Sequence, residues 1–292
     1  MIIQFILALA FFWCLQFIAR WYLFRRVSFR SFNYFILPDD ENNDSRQLSI
    51  IPPNKKWRIS NECISLVHSI VSGLWAGYVL ISDKQFSEDP IQHRSPMADN
   101  LILFSAAYMF HDLVDLLANE QSARILELLI HHITVLTAFF ITIWTNLYLG
   151  VVVYGLLMEL NSVFLHCRSL LNHYGVSKKR PIFRMTAFFN MITLVVFRLA
   201  VSFFLARWLI GVLPQLPISQ AIINSLVTLT LCISNSVLAY RVMAADGLLG
   251  KSRARKCPTQ VHANSQEEST DVEDEDDSST LSEIIVQSDP VK

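Results

Sequence analysis

Three stretches of apolar sequence carry acids, imidazoles and hydroxyls at helical spacing. The side chains are Tyr108, His111, Asp112, Asp115, His131, His132, Glu159, Ser162 and His166. Separations of three or four residues favour a common helix face for most members of each stretch. Carboxylates beside imidazoles can hold a polar group or move a proton. We therefore predict that these residues line a polar chamber for a lipid headgroup or a thioester.

Ionisable groups are costly in hydrocarbon, roughly 2.5 to 3.5 kcal/mol each at the centre of a membrane helix. Apolar side chains would fill the same volume without that cost. Two interpretations follow. In the first, each imidazole is satisfied by a carboxylate and serves packing. In the second, the cluster of acids and imidazoles binds or transforms a ligand. If the chain is an acyltransferase, the catalytic candidates are His131 or His132 as general base, oriented by Asp112 or Glu159.

The elements that position these groups are predicted to be membrane-spanning helices. Of the 292 residues, 52% are hydrophobic and 17% are charged. About 20 apolar residues in a helix cross a hydrocarbon core. Seven runs of that kind, spans one to seven, lie near residues 2–24, 60–82, 98–118, 125–143, 148–171, 185–212 and 217–243. They lack the alternation of barrel strands, so the fold class is an all-α polytopic bundle.

The charge of the loops predicts the orientation of the bundle. The loop after span one and the flank after span seven are rich in Lys and Arg, whereas the loops after spans four and six have neither. Positive loops favour the cytosol, which places the amino terminus outside and the carboxy terminus inside. The first span is interpreted as an uncleaved signal anchor, because no small-residue cleavage pattern follows it.

Three regions are expected along the chain. Residues 1–56 hold the anchor helix and a basic cytosolic loop, 57–250 hold the helical domain, and 251–292 form an acidic, disordered cytosolic tail. The five cysteines show no disulfide or metal-ligand spacing. No metal, cofactor or nucleic-acid partner is predicted, because phosphate loops, zinc motifs and basic aromatic surfaces are absent from the sequence.

Four sequence segments resemble the TLC-domain membrane proteins, which include translocation-associated proteins and ceramide synthases. The segments are Trp57-Arg58-Ile59-Ser60-Asn61 with His68, Tyr108 with Asp112, Leu129-Ile130-His131-His132, and Met158-Glu159-Leu160-Asn161-Ser162. The first and last are most similar to the branch that sets plasma-membrane phospholipid composition and fluidity. In the ceramide synthases the paired histidines are catalytic, but the HisAspXxxXxxAsp motif follows them. Here that pattern, His111 to Asp115, precedes the pair.

The resemblance implies a regulator of phospholipid composition in the plasma membrane, for which no covalent chemistry is required, with the endoplasmic reticulum as the alternative residence. Such a protein restrains incorporation of fluidising, long polyunsaturated acyl chains into phospholipids and so promotes membrane rigidity. Its partners would be membrane lipids or acyl chains. The main alternative is an acyl-CoA-dependent acyltransferase that uses the histidine pair. A seven-helix receptor or channel subunit is a third class, disfavoured because the AspArgTyr and AsnProXxxXxxTyr signatures are absent from the sequence.

Overall fold

The computed structural model describes residues 1–24, 55–119 and 125–246, and the regular structure within those ranges is helical. The basic loop after span one and the acidic tail lie outside the described residues. Their predicted properties, and the three-region division that depends on them, therefore stay predictions. The described residues belong to one compact unit.

Within the described ranges, seven helical segments are long and apolar enough to cross a membrane, which confirms the predicted bundle. Spans one to four are Ile2–Phe24, Lys55–Ser82, Pro96–Asn119 and Ile125–Thr145. Span five comprises Leu149–Leu156 and Glu159–His173. Span six comprises Pro181–Thr193, a π-helical turn Leu194–Leu199 and Ala200–Val212, followed by a 3-10 turn Leu213–Gln215. Span seven is Ile218–Ala245.

Six of the spans form a ring around a central cavity. Span two packs against span five, span five against six, six against seven, seven against four, four against three, and three against two. Span one packs against spans two and three from outside this ring. Only 11% of its most apolar window is buried within the protein, so its remaining surface is left for lipid. The ring gives polar side chains a location away from the lipid tails.

The backbone of spans five and six is irregular at membrane depth. In span five, the amides of Leu157 and Met158 bond to carbonyls three residues earlier, and a new helix begins at Glu159. In span six, the π-helical turn contains Arg198. Irregular backbone is tolerated at this depth where it lies inside protein or lines a cavity, and π-helical turns are frequent at functional sites.

A short loop structure closes one end of the ring. After span two, the helix Gln85–Glu88 buries Phe86, and the carbonyl of Ile91 accepts a 2.7 Å hydrogen bond from the amide of Tyr148. Tyr148 precedes span five, and its Oη donates to Oε1 of Gln220 in span seven at 2.6 Å. These bonds connect the loop after span two with spans five and seven.

Spans two and five are in close contact at Gly73. A Cβ built on Gly73 would lie 3.0 Å from both the backbone nitrogen and Cδ2 of Leu160. Leu160 directly follows Glu159, so this contact fixes the position of Glu159 along the axis of span two. Gly77, one turn further along the same helix, has open space at the equivalent position.

Gly73→Val should therefore lower the stability of the folded protein, by about 1 to 3 kcal/mol, because the added methyl groups overpack the interface with Leu160. Gly77→Val is the matched control and should change stability much less. Thermal unfolding of the purified protein in detergent measures both. Equal melting temperatures for the two variants would contradict the close approach of spans two and five.

Candidate functional site

A polar cavity of about 290 Å³ lies between spans two to seven. Seven of the nine site residues predicted from the sequence line it. They are Tyr108, Asp112, His131, His132, Glu159, Ser162 and His166. Glu62, Ser69, Arg198 and Asn235 also contribute to the wall. Spans two and six thus add an acid and a cation to the three spans that sequence reasoning emphasised. We call this cavity the polar compartment.

His132 and Asp112 form a hydrogen-bonded pair in the wall. His132 Nε2 lies 2.8 Å from Asp112 Oδ2, and its Nδ1 lies 2.7 Å from the carbonyl oxygen of Leu128. A carbonyl oxygen only accepts, so Nδ1 carries a hydrogen. Nε2 then either donates to a carboxylate or accepts from a protonated carboxyl group. In both cases His132 has no free lone pair, so it is not available as a general base.

His131 is in a different position from its neighbour. It is partly buried and lines the cavity, and no side chain or carbonyl among the described residues forms a hydrogen bond with it. Its ring lies edge-on to that of His132, with 5.8 Å between ring centroids. Of the two adjacent histidines, His131 is therefore the one with ring nitrogens available to a ligand.

Glu62 is engaged at the edge of the polar compartment. Its Oε2 lies 2.6 Å from Nδ1 of His166, and its Oε1 accepts from Oγ of Ser169 at the same distance. These contacts join span two to span five. Glu62 therefore lies in the cavity wall, paired across the ring.

Glu159 and Arg198 face the same cavity from the two irregular helices. Ser69 donates to Glu159 Oε2 at 2.6 Å. Arg198 donates to Ser162 Oγ at 2.7 Å and to Oδ1 of Asn235 at 3.0 Å. Its Nε atom is buried without a hydrogen-bond partner among the described residues. The guanidinium therefore has an unused donor, which suits an anionic or carbonyl oxygen.

An apolar cavity of about 110 Å³ adjoins the polar compartment. We call it the apolar compartment. Most of its wall is aliphatic or aromatic, with Val135, Phe139, Val152, Leu205, Trp208, Val227 and Leu231 among the lining residues. Gly155 also lines it, and Tyr148 lies in its wall near the closed end of the ring. Five residues line both compartments, namely Met109, His131, Glu159, Arg198 and Asn235. The two compartments therefore meet at these side chains.

His68 is buried beside this meeting point. It lines the apolar compartment and is 1% exposed. Its ring stacks on Tyr108 with centroids 3.8 Å apart and planes inclined by 11°. Both ring nitrogens lack a hydrogen-bond partner among the described residues. In the sequence, His68 is notable only as part of the segment that resembles the TLC-domain proteins.

The two remaining predicted site residues, His111 and Asp115, face span one instead. His111 Nε2 lies 3.2 Å from Oε1 of Gln16. Asp115 accepts two hydrogen bonds from Arg20, at 2.7 and 2.8 Å, and one of 2.7 Å from Nε1 of Trp57. These contacts hold span one to the ring. In the sequence, the polar residues Gln16 and Arg20 inside the otherwise apolar span one indicate that this span has polar partners in the protein.

Fold and site together define a polytopic helical membrane protein with a central, internally polar cavity. The family model for the TLC domain matches residues 58–244, and the chain belongs to the TLC-domain family. It is 34% identical to TLC domain-containing protein 2 of Danio rerio over 190 residues, which cover 65% of this chain and 77% of that protein. It is 29% identical to TLC domain-containing protein 1 of Homo sapiens over 181 residues, covering 62% and 73% respectively. The resemblance predicted from the sequence is confirmed.

Asp115→Leu should destabilise the protein by about 3 to 5 kcal/mol, because it leaves Arg20 buried without its carboxylate. The double variant Arg20→Met with Asp115→Leu removes both charges and should recover a large part of that loss. Thermal unfolding of the purified variants in detergent measures the difference. A double variant no more stable than the single one would show that the ion pair does not hold span one in place.

Proposed function

We propose that the protein binds an acyl lipid inside the helical ring and thereby regulates phospholipid acyl composition. In this role it restrains incorporation of long polyunsaturated chains into phospholipids and favours a more rigid membrane. The observation that carries the proposal is that the polar and apolar compartments share lining side chains. A molecule with a polar end and a hydrocarbon chain is complementary to such a pair of compartments.

The polar compartment supplies contacts for the polar end. Among the described residues, nothing forms a hydrogen bond with Nε of Arg198 or with the ring nitrogens of His131, and both side chains line the cavity. Hydrogen bonds from a guanidinium are strong where water is excluded, and they favour oxygen atoms of phosphate, carboxylate or carbonyl groups. Glu159 lines the same cavity, accepts hydrogen bonds, and would contact a hydroxyl or an amine at the polar end of the ligand. These groups bind a headgroup without covalent chemistry.

We further propose that the protein resides in the plasma membrane with its amino terminus outside. The charge of the loops supports this orientation. Glu62 lies near the start of span two and His166 near the end of span five, so both lie at the ends of their spans assigned to the cytosol. The polar compartment would then open towards the cytosolic leaflet. The apolar compartment would extend towards the outer leaflet.

A second function, acyl transfer from acyl-CoA, is favoured by one observation: His131 lines the cavity, and its nitrogens have no hydrogen-bond partner in the part of the chain that the structure describes. The nitrogen of the amine or the oxygen of the hydroxyl would attack the thioester carbon, and His131 would accept the proton that the attacking group loses. The carbon–sulfur bond breaks, and the CoA thiolate leaves and takes up a proton. Release of free thiol from oleoyl-CoA by the purified protein, with formation of the acylated amine or alcohol and with both abolished by His131→Ala, would establish this function. Lipid retention without thiol release would favour the regulator.

Gly155→Leu should reduce the lipid retained by the purified protein several-fold. A Cβ at Gly155 meets no atom within 4 Å, so the larger side chain occupies the apolar compartment without displacing a neighbouring side chain. Gly77→Leu is the matched control, because Gly77 has similar open space and does not line the cavities. Mass spectrometry of extracted lipids, per mole of protein, measures retention. Equal lipid content in the two variants would contradict binding in this compartment.

His131→Ala should abolish the regulatory effect at unchanged protein abundance, because it removes the unengaged imidazole from the meeting point. Cells that carry only this variant, given polyunsaturated fatty acid, should accumulate polyunsaturated phospholipids as cells without the protein do. His111→Gln, which alters a histidine outside both compartments, is the control and should behave as wild type. Quantitative phospholipid profiling with immunoblotting measures both. A wild-type profile for His131→Ala would count against the proposed site.

A further inference from the structure

We propose that His68 donates a hydrogen bond to the carbonyl oxygen of an ester or thioester whose acyl chain fills the apolar compartment. The inference rests on the proposed function, since it requires an acyl lipid in the ring. It adds one specific contact: His68 recognises the carbonyl group that links the polar end of the ligand to its hydrocarbon chain. It also selects the class of ligand, an acyl chain with a carbonyl group, over an alkyl chain without one.

The burial of His68 without partners is the first observation. A neutral imidazole offers one N–H donor and one acceptor nitrogen. Buried polar atoms in proteins are nearly always paired, because an unpaired one has lost its hydrogen bonds to water. Both nitrogens of His68 are buried and unpaired within the described protein, and the side chain is 1% exposed. A ligand in the adjoining cavity would supply the missing partner.

The packing of His68 does not require an imidazole. Its ring is held flat against Tyr108, whose Oη donates to Ser65 at 2.8 Å. Phe12 and Phe104 flank it, with ring centroids 6.1 and 6.0 Å away. A phenyl ring would satisfy these apolar and stacking contacts equally well. The nitrogens are therefore unexplained by packing, while the stacking fixes the ring in one orientation.

The location of His68 identifies the part of the ligand that it meets. His68 lines the apolar compartment, and its ring stacks on Tyr108, which lines the polar compartment. It thus lies where the two compartments meet, although it is not itself among the residues that line the polar one. In an acyl lipid the group at the boundary between polar end and hydrocarbon is the carbonyl. A carbonyl oxygen accepts a hydrogen bond from an imidazole N–H.

The test compares 1-oleoylglycerol with 1-O-oleylglycerol, an ether that lacks only the carbonyl oxygen, on the purified, delipidated full chain. Native mass spectrometry measures the dissociation constant of each. Wild-type protein should bind the ester about tenfold more tightly than the ether. His68→Phe should bind both with the affinity of the wild type for the ether. His111→Phe, a histidine outside the compartments, should keep the wild-type preference.

A second measurement separates recognition from a structural role. In the absence of lipid, His68→Phe should melt at the same temperature as wild type or higher, because the unpaired nitrogens are gone while the stacking remains. A strong loss of stability would assign His68 to the fold and overturn the inference. So would an ester preference retained by His68→Phe, or equal affinity of the wild type for both glycerols, although lipid binding itself would stand. Failure of wild type to bind either would overturn the proposed function as well.

Discussion

The hydrocarbon core of a bilayer offers no hydrogen bonds, so each polar side chain within it must find a partner inside the protein. The helical ring meets this requirement for most of its acids. Asp112 pairs with His132, Glu62 with His166, and Glu159 accepts from Ser69. Among the described residues, His68, His131 and Arg198 have nitrogens without hydrogen-bond partners, and all three lie where the polar and apolar compartments meet. Other buried polar atoms without a described partner, such as Nδ1 of His111 and Oδ1 of Asn161, lie elsewhere in the bundle. The meeting point is shaped for a molecule that is itself part polar and part apolar.

Irregular backbone gives this meeting point its geometry. Glu159 begins the second helix of span five, and the π-helical turn of span six carries Arg198. Gly73 brings span two within close contact of Leu160, the residue after Glu159. The irregular turns of spans five and six face the cavity, where backbone groups without helical hydrogen bonds are tolerated. Strong packing between spans two and five supports the polar wall, while the apolar wall is built largely from spans four to seven.

The seven spans and most of the polar chamber could be predicted from the sequence, because apolar length and helical spacing are local properties. Tyr108 and Asp112 lie in the chamber as expected. His111 and Asp115, at similar spacing, face span one instead, because the helix has partners on two sides and spacing alone does not assign them. The sequence also does not distinguish His131 from His132, because the difference in their hydrogen bonding depends on Asp112 in another helix. The apolar compartment was missed because Val135 and Val227 look the same in sequence whether they face lipid or a cavity.

The two compartments are proposed to form one binding site for an acyl lipid, with its polar end in the polar compartment and its hydrocarbon chain in the apolar one. An experimental density map of the full chain, purified with its native lipids in nanodiscs, tests it most directly. We expect one elongated ligand density that passes His68, with its polar end beside Arg198 and its chain towards Tyr148. Water alone between these residues, or His131 and Glu159 turned to separate surroundings, would contradict it.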